Sequence, residues 1–364
     1  MRVTVQARAG PYVVDIAPGL LEALGEDPAA AALCGRVAVV TDANVRHLWG
    51  ERVREALGRA GVEAVLLEIP PGEGSKTLAG ADALWTGLIE SGFGRADTVL
   101  ALGGGVVGDL AGFVSATFHR GMRLVHAPTT LLAQVDSSIG GKVAIDHRLG
   151  KNLIGAFHPP VRVVADVSTL RTLPARERWN GLAEVVKTAL VLDGELFSEL
   201  ETALPALGAG QMDDEGWLGV VGRAAALKGR LVSEDELERG PRMLLNFGHT
   251  VGHALEAATG HGPLTHGEAV VLGMRAALAV SRRLGRLDAG EEQRALSVLE
   301  HFPVPRSVPR PDRAEVRAAL GRDKKASAGH VRYVVLEGLG HGVVEPALSE
   351  ELLGFAIDRA LEAL

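Results

Sequence analysis

Short runs of consecutive apolar residues recur through the first half of the chain, each closed by turn-forming or polar residues. Val37-Ala38-Val39-Val40 ends in Thr41-Asp42, Ala64 to Ile69 ends in two prolines, and Thr98 to Leu102 runs into three glycines. Leu124 to Ala127 and Val161 to Ala165 have the same form. Runs this short, apolar and bounded by turn residues, predict the strands of a parallel sheet. Between them, Val45 to Ala60 and Leu78 to Glu90 read as helices. Strands alternating with helices predict a parallel sheet covered on both faces. Residues 1–16 alternate in places, as in Met1-Arg2-Val3-Thr4-Val5, and read as a hairpin or a pair of strands.

The pattern changes near Thr169-Leu170-Arg171-Thr172-Leu173-Pro174. Beyond it the chain reads as mainly helical, over about 181–191, 216–232, 246–259, 266–285, 288–299 and 348–363, with a strand-like piece from His330 to Leu336. There is no internal repeat and no low-complexity tail. The expected architecture is α/β. An N-terminal Rossmann-like parallel-sheet domain over residues 1–172 is followed by a mainly α-helical domain over residues 173–364.

Composition narrows the function. With 364 residues, 47% of them apolar, the chain can build two cores. A net charge of −7 argues against a general nucleic-acid binder, which needs a dominant basic surface. Cys34 is the single cysteine, so no intrachain disulfide forms; a cytoplasmic setting and a small packing role are expected for it. The N-terminus lacks the apolar core of a signal peptide. Thr98 to Phe118 carries Asp109 and several glycines, which fits a buried strand and helix and not a membrane span. Of 38 basic residues only seven are lysine: Lys76, Lys142, Lys151, Lys187, Lys228, Lys324 and Lys325. Most lie in glycine- and histidine-rich segments, where a compact ammonium suits an anionic ligand. Chance placement in an arginine-biased chain is the competing explanation.

Gly103, Gly105 and Gly108 satisfy G-x-G-x-x-G between a predicted strand and a predicted helix. Glycine lets the backbone approach a pyrophosphate, whose charge the helix N-terminus stabilises. A tight turn packing helix on strand would look the same. The acidic residue expected about 20 positions later is missing, and Asp42 could serve a ribose instead. The loop Pro71-Gly72-Glu73-Gly74-Ser75-Lys76-Thr77 is a second polar turn, and it is not a Walker A sequence.

His249 and His253 stand four residues apart on one helical face, and His266-Gly267-Glu268 follows. Such spacing aims two imidazoles at one point, and a catalytic zinc takes three protein ligands. Glu268 and the more distant Glu184 are both candidate further ligands, and spacing does not say which histidines bind. Glu184 and Lys187 form an i, i+3 pair among apolar neighbours, where charge is expensive unless used. Gln134 to Lys142 combines Asp136, hydroxyls, glycines and a lysine, and Lys151-Asn152 follows, a composition suited to a phosphorylated polyol.

These segments together resemble the 3-dehydroquinate synthase family. The matching strings run from Thr41-Asp42-Ala43-Asn44 to Asp323-Lys324-Lys325. The most specific are Gly103 to Ala111, Pro128 to Ser138, Gly150-Lys151-Asn152, Asn246 to His253, and His266 to Val270. The resemblance implies conversion of 3-deoxy-D-arabino-heptulosonate 7-phosphate to 3-dehydroquinate and phosphate, a step of the shikimate pathway to aromatic amino acids. It implies NAD used catalytically, Zn²⁺ or Co²⁺, a cytoplasmic homodimer, and neither nucleic acid nor membrane as partner. Glu184, His249 and His266 are then the metal ligands, and His253 moves to the substrate side. Lys142, Asn152, His253 and one of Lys324 and Lys325 form the phosphate pocket beside Lys151, completed by Arg120 of the other subunit. Lys228, Arg242 and Asn246 hold the substrate carboxylate end, and Asp136 and Lys187 meet the ring hydroxyls. Asp42, Asn44, Glu73, Lys76, Gly104, Gly105, Asp109, Thr129 and Thr130 line the NAD site, with Gly103 and Gly108 shaping its turn. The alternatives are a related sugar-phosphate cyclase, or a metal-dependent polyol dehydrogenase that accumulates NADH.

Overall fold

In the computed structural model the chain divides into two compact units. It describes residues 1–260, 262–305, 307–326 and 332–364, without the side chains of 322–326. The first unit comprises Met1–Leu173 and Met212–Leu237, and the second Pro174–Gln211 and Glu238–Leu364.

The first unit is built on a seven-stranded sheet. Its strands are β1 (Arg2–Val5), β2 (Tyr12–Ala17), β3 (Val37–Asp42), β4 (Ala64–Ile69), β5 (Thr98–Gly103), β6 (Arg123–Pro128) and β9 (Arg162–Asp166). The spatial order is β1-β2-β9-β6-β5-β3-β4, parallel except for the antiparallel β1–β2 pair. The apolar runs are explained by burial on both faces. Ala38, Val40, Val99 and Ala101 enter one core cluster, while Val37, Val39, Leu100 and Leu102 enter the other. Truncating a leucine such as Leu100 there would cost about 2–5 kcal/mol. The helix expected over 45–60 is present but irregular: a turn at Ala43–Val45, a wider π-turn at Arg46–Gly50, then Glu51–Arg59. The helix Leu78–Glu90 is capped by Thr77, whose hydroxyl accepts from Gly80 N at 3.1 Å.

Two sequence expectations need correction in this unit. The helix Asp214–Glu234 belongs here and not with the helical unit, so one cut near residue 172 does not divide the chain. It is seated on β1: a Cβ on Gly229 would meet Val3 and Val5 side chains, both at 3.1 Å, and Ser233 Oγ accepts from Gln6 N at 2.9 Å. Cys34 is exposed and is not a packing residue.

A hairpin that periodicity did not reveal, β7 (Lys142–His147) with β8 (Gly150–Phe157), completes the unit. Val143 and Ile145 pack inward, and a side chain on Gly112 of the helix Gly105–Thr117 would stand 2.3 Å from Val143 Cγ1. β8 turns apolar residues outward instead, with Leu153 64% and Phe157 47% exposed.

The second unit is mainly helical. Ala175–Leu192, Gly194–Ala209, His249–Ala258, His266–Arg283, Ala289–Leu299, Arg313–Ala326 and Glu350–Ala363 accompany one hairpin, β10 (Tyr333–Gly338) with β11 (His341–Glu345). The helices Gly194–Ala209 and Arg313–Ala326 and the strand β11 were not predicted. No helix among the described residues is long and apolar enough to cross a membrane.

Candidate active site

The carboxyl ends of β3 and β5 meet at the sheet's switch point. The chain passes from β3 to β4 on one side and returns to β5 on the other, the arrangement in which open α/β sheets bind ligands. Asp42 ends β3 and caps the turn behind it, accepting from Val45 N at 3.0 Å; Asn44 is exposed beside it. Gly103 ends β5, and Gly104 starts the helix Gly105–Thr117 without a side-chain cap, which leaves its first N–H groups available. A Cβ on Gly103 would stand 2.6 Å from Val107 Cγ2, and one on Gly104 2.9 Å from Thr130 Cγ2. These two glycines therefore also serve packing. Gly105 and Gly108 are less crowded, with nearest approaches of 3.2 and 3.4 Å. Thr129 N donates to Gly103 O at 3.0 Å, and Thr130 Oγ1 accepts from Ala133 N at 3.2 Å. The hydroxyls of Thr41 and Thr129 are buried without a hydrogen-bond partner. Orphaned hydroxyls and uncapped amides at a switch point fit a dinucleotide.

Lys76, buried, organises the neighbouring loop. Its Nζ lies 2.6 Å from Asp109 Oδ2 and 3.7 Å from Glu73 Oε1, and it donates to Asn152 Oδ1. Lys151 Nζ lies 3.9 Å from Glu73 Oε1. Burial works to lower the Lys76 pKa, but the charges of Asp109, Glu73 and Asp146 raise it. Burial pushes the Asp109 carboxyl up, partly offset by Lys76. Asp146, which the sequence did not single out, fixes the hairpin: its carboxylate accepts from Asn152 N at 2.8 Å, and its own N–H donates to Lys76 O at 2.7 Å. Residues assigned separately to NAD and to phosphate thus form one network within the unit.

Lys228, also buried, donates to Asp136 O at 2.6 Å and to the Asp136 carboxylate. Lys142 is exposed at the start of β7. Arg120 is exposed in a left-handed turn with His119, at φ 65° and 49°. Such conformations are uncommon for non-glycine residues.

In the second unit Glu184 and Lys187 are fully buried on the helix Ala175–Leu192, and Lys187 Nζ donates to Glu184 Oε2. The other oxygen, Oε1, lies 3.2 Å from His266 Nε2 and 3.5 Å from His249 Nε2. His253 joins them, with ring centroids 5.1 Å from His249 and 5.6 Å from His266. Glycines allow this convergence. Gly248 has φ 79°, a Cβ on Gly252 would stand 2.8 Å from Ala269 O, and one on Gly273 1.8 Å from Gly248 O. The helices bearing His249 and His266 therefore pack almost backbone to backbone.

The donor chemistry fits a divalent cation. A carboxylate oxygen and two neutral imidazole nitrogens are all acceptors, so their convergence is repulsive unless a proton or cation lies among them. Near neighbours set the rings: His249 Nδ1 lies 3.2 Å from Phe247 O, and His266 Nδ1 lies 3.9 Å from Glu256 Oε2. Such outer partners orient metal-bound imidazoles. Burial tends to raise Glu184, but Lys187, His249 and His266 hold it well below the usual range. Burial and Lys187 hold His249 far down, in its neutral, ligating form. Burial opposes a charge on His266, yet Glu184 and Glu256 raise it to about 9.

Glu268, one of the two acids left open by spacing, is committed elsewhere. It forms a capping box with Thr265 and a two-pronged ion pair with Arg176, both contacts at 2.9 Å. Glu256 was missed, although it follows His253 by three residues on the same helix. Arg242 is buried, and Asn246 Nδ2 donates to Glu238 Oε1 at 2.7 Å. The side chains of Lys324 and Lys325 lie outside the described residues, as does His261.

Comparison with known proteins gives this arrangement a family. The model for the 3-dehydroquinate synthase N-terminal region matches residues 66–180, and that for the C-terminal region matches 181–326. The 3-dehydroquinate synthase of Pelobacter propionicus is 44% identical over 351 residues, covering 96% of this chain and 97% of that protein. A solved 2-epi-5-epi-valiolone synthase from Streptomyces hygroscopicus, with NAD⁺ and Zn²⁺ bound, superposes with a TM-score of 0.88 at 32% identity over 97% of each chain. A 2-deoxy-scyllo-inosose synthase complexed with carbaglucose-6-phosphate, NAD⁺ and Co²⁺ gives 0.87 at 26% identity, over 98% of this chain and 99% of that one. An iron-containing alcohol dehydrogenase at 14% identity shares the fold alone. With both regional models matched in sequence order and one such relative aligned almost end to end, the chain belongs to the 3-dehydroquinate synthase family, whose enzymes are carbon–oxygen lyases.

Proposed function

We propose that the chain converts 3-deoxy-D-arabino-heptulosonate 7-phosphate to 3-dehydroquinate and inorganic phosphate, with NAD and a divalent ion, Zn²⁺ or Co²⁺. The observation that carries the reading is the convergence of Glu184 Oε1, His249 Nε2 and His266 Nε2. Glu184, His249 and His266 would hold the ion, which would supply a Lewis acid for a ring hydroxyl, and NAD at the glycine turn would supply a reversible hydride acceptor for that carbon.

The protein's own groups bind, orient and balance charge. Asp42, Asn44, Glu73, Lys76, Asp109, Thr129 and Thr130, with the glycine turn, hold the dinucleotide. Lys142, Lys151, Asn152 and His253 hold the phosphate, with one of Lys324 and Lys325. Lys228, Arg242 and Asn246 take the substrate carboxylate. That set separates this substrate from those of related cyclases, and Lys228 and Arg242 are both buried cations of a kind suited to a carboxylate. Asp136 and Lys187 meet ring hydroxyls. The departing phosphate would take the proton from the carbon next to the oxidised centre, the hydride would return to that centre, and the ring would then open and close by an intramolecular aldol step.

The decisive experiment is phosphate release from this substrate by metal-stripped protein with substoichiometric NAD, before and after Zn²⁺ is added. Many turnovers per NAD, appearing only with metal, is the expected result. No release with any divalent metal would refute the substrate, and net accumulation of NADH would favour a polyol dehydrogenase.

The reading extends to a cytoplasmic homodimer in which Arg120 completes the partner's phosphate pocket. The outward apolar row of β8 supports a second copy, since exposed apolar edge strands seek a partner. Leu153→Asp is expected to shift the mass in light scattering from dimer towards monomer; an unchanged mass would move the interface elsewhere.

A further inference from the structure

Glu184 and His266 come from different helices, and a contact between those helices lies one turn away from Glu184. Asn180 precedes Glu184 by four residues on the same helix and is 8% exposed. Its Oδ1 accepts from Gly267 N at 2.7 Å, directly beside His266, and its Nδ2 donates to Glu177 Oε2 at 3.1 Å. The first N–H groups of a helix have no partner inside it. Thr265 takes that of Glu268, and Asn180 takes that of Gly267, which is buried. The backbones touch as well. A Cβ on Gly267 would stand 2.4 Å from Asn180 O and 2.8 Å from its Cα.

We propose that Asn180 and Gly267 form a latch that positions His266 against Glu184 for a divalent ion. Asn180 is a positioning residue here and contributes no ligand atom. Glycine at 267 is required because any side chain would separate the two ligand-bearing helices. The inference rests on the metal reading of Glu184, His249 and His266.

The test is titration of metal-stripped protein with Co²⁺, read by visible absorption, with Zn²⁺ competition for affinity and melting of the metal-free protein as a control. Asn180→Ala is expected to bind roughly 10- to 100-fold more weakly, the range for partners that orient metal ligands, with shifted cobalt bands. The pair Asn180→Asp with Glu177→Gln keeps the acceptor and the total charge, and is expected to restore both affinity and spectrum. Should Asn180→Ala not fold, Asn180→Gln displaces the acceptor by one methylene and carries the same expectation. Affinity within twofold of the parent and an unchanged spectrum would overturn the latch. So would a loss that tracks the melting of the metal-free protein and is not restored by the paired variant. If the parent binds no Co²⁺ and Glu184→Gln changes nothing, it is the metal reading that fails.

Discussion

Two buried lysine–carboxylate clusters, one in each unit, are built from similar parts and do opposite things. Around Lys76 the cation is central. Its ammonium meets Asp109 and Asn152 at hydrogen-bond distance, with Glu73 3.7 Å away, so its charge is balanced by the protein itself. Around Glu184 the anion is central. Lys187 occupies one oxygen, and two imidazole nitrogens crowd the other. The first cluster is closed and shapes a surface for a ligand to lie against. In the second, two imidazoles and a carboxylate oxygen converge on one point, which a proton on His266 or a bound cation can hold together. An ion pair in sequence is therefore not yet a function; what the second carboxylate oxygen meets decides it.

The largest expected effect comes from Glu184→Gln. It removes a ligand and strands Lys187 in the interior, and breaking a buried pair in this way costs about 3–5 kcal/mol. Metal content after dialysis should fall to background, and urea unfolding of the metal-free variant should show the loss of stability. Full metal content would remove Glu184 from the ligand set. Lys76→Met attacks the closed cluster, and there the expectation is selective: NAD binding weakened roughly tenfold or more, the worth of one charged hydrogen bond, with metal content unchanged. Fluorescence titration with NADH checks it, and parental affinity would make the cluster purely structural. Lys142→Ala is expected to raise KM for the phosphorylated substrate by roughly tenfold with NAD affinity kept, and an unchanged KM would take Lys142 out of the site.

How much of this was legible beforehand follows from where each residue's partner lies in the chain. Strands such as Val37–Asp42 and Thr98–Gly103 could be read because burial on both faces leaves a continuous apolar run. The hairpin β7–β8 could not, since β8 carries its apolar residues on the outside and breaks the link between apolarity and core. The helix Asp214–Glu234 has an ordinary helical period, and nothing in that period says it packs on β1, more than 200 residues earlier. The histidines were visible from i, i+4 spacing, but the choice between Glu184 and Glu268 was not. Glu268 is held by Arg176, 92 residues earlier in the chain, a partner that no spacing shows. Glu256, Asp146 and Asn180 escaped notice because each acts through another residue, and such roles leave no spacing signature.

The contrast between the clusters can be sharpened with two histidines of opposite sign, one buried and one half-buried. His126, on β6, is buried, and burial, with the neighbouring His158, lowers its pKa to about 4. The folded chain then binds fewer protons there than the unfolded chain, whose histidines titrate near 6.5. Its contribution is full above about pH 6.5 and is lost as pH falls towards 4, amounting to about 2 kcal/mol by pH 5. His266 is raised to about 9 by Glu184 and Glu256 despite its burial. In metal-free protein its contribution is full below about pH 6.5 and is lost as pH rises through 9. His126→Leu should therefore flatten the acid side of the stability profile and leave the alkaline side unchanged. His158, which burial also lowers, keeps part of the acid slope in that variant. Unfolding midpoints in urea between pH 5 and 9, compared with the parent, separate the two arms. An acid arm identical to the parent's would mean that His126 becomes protonated without disturbing the sheet.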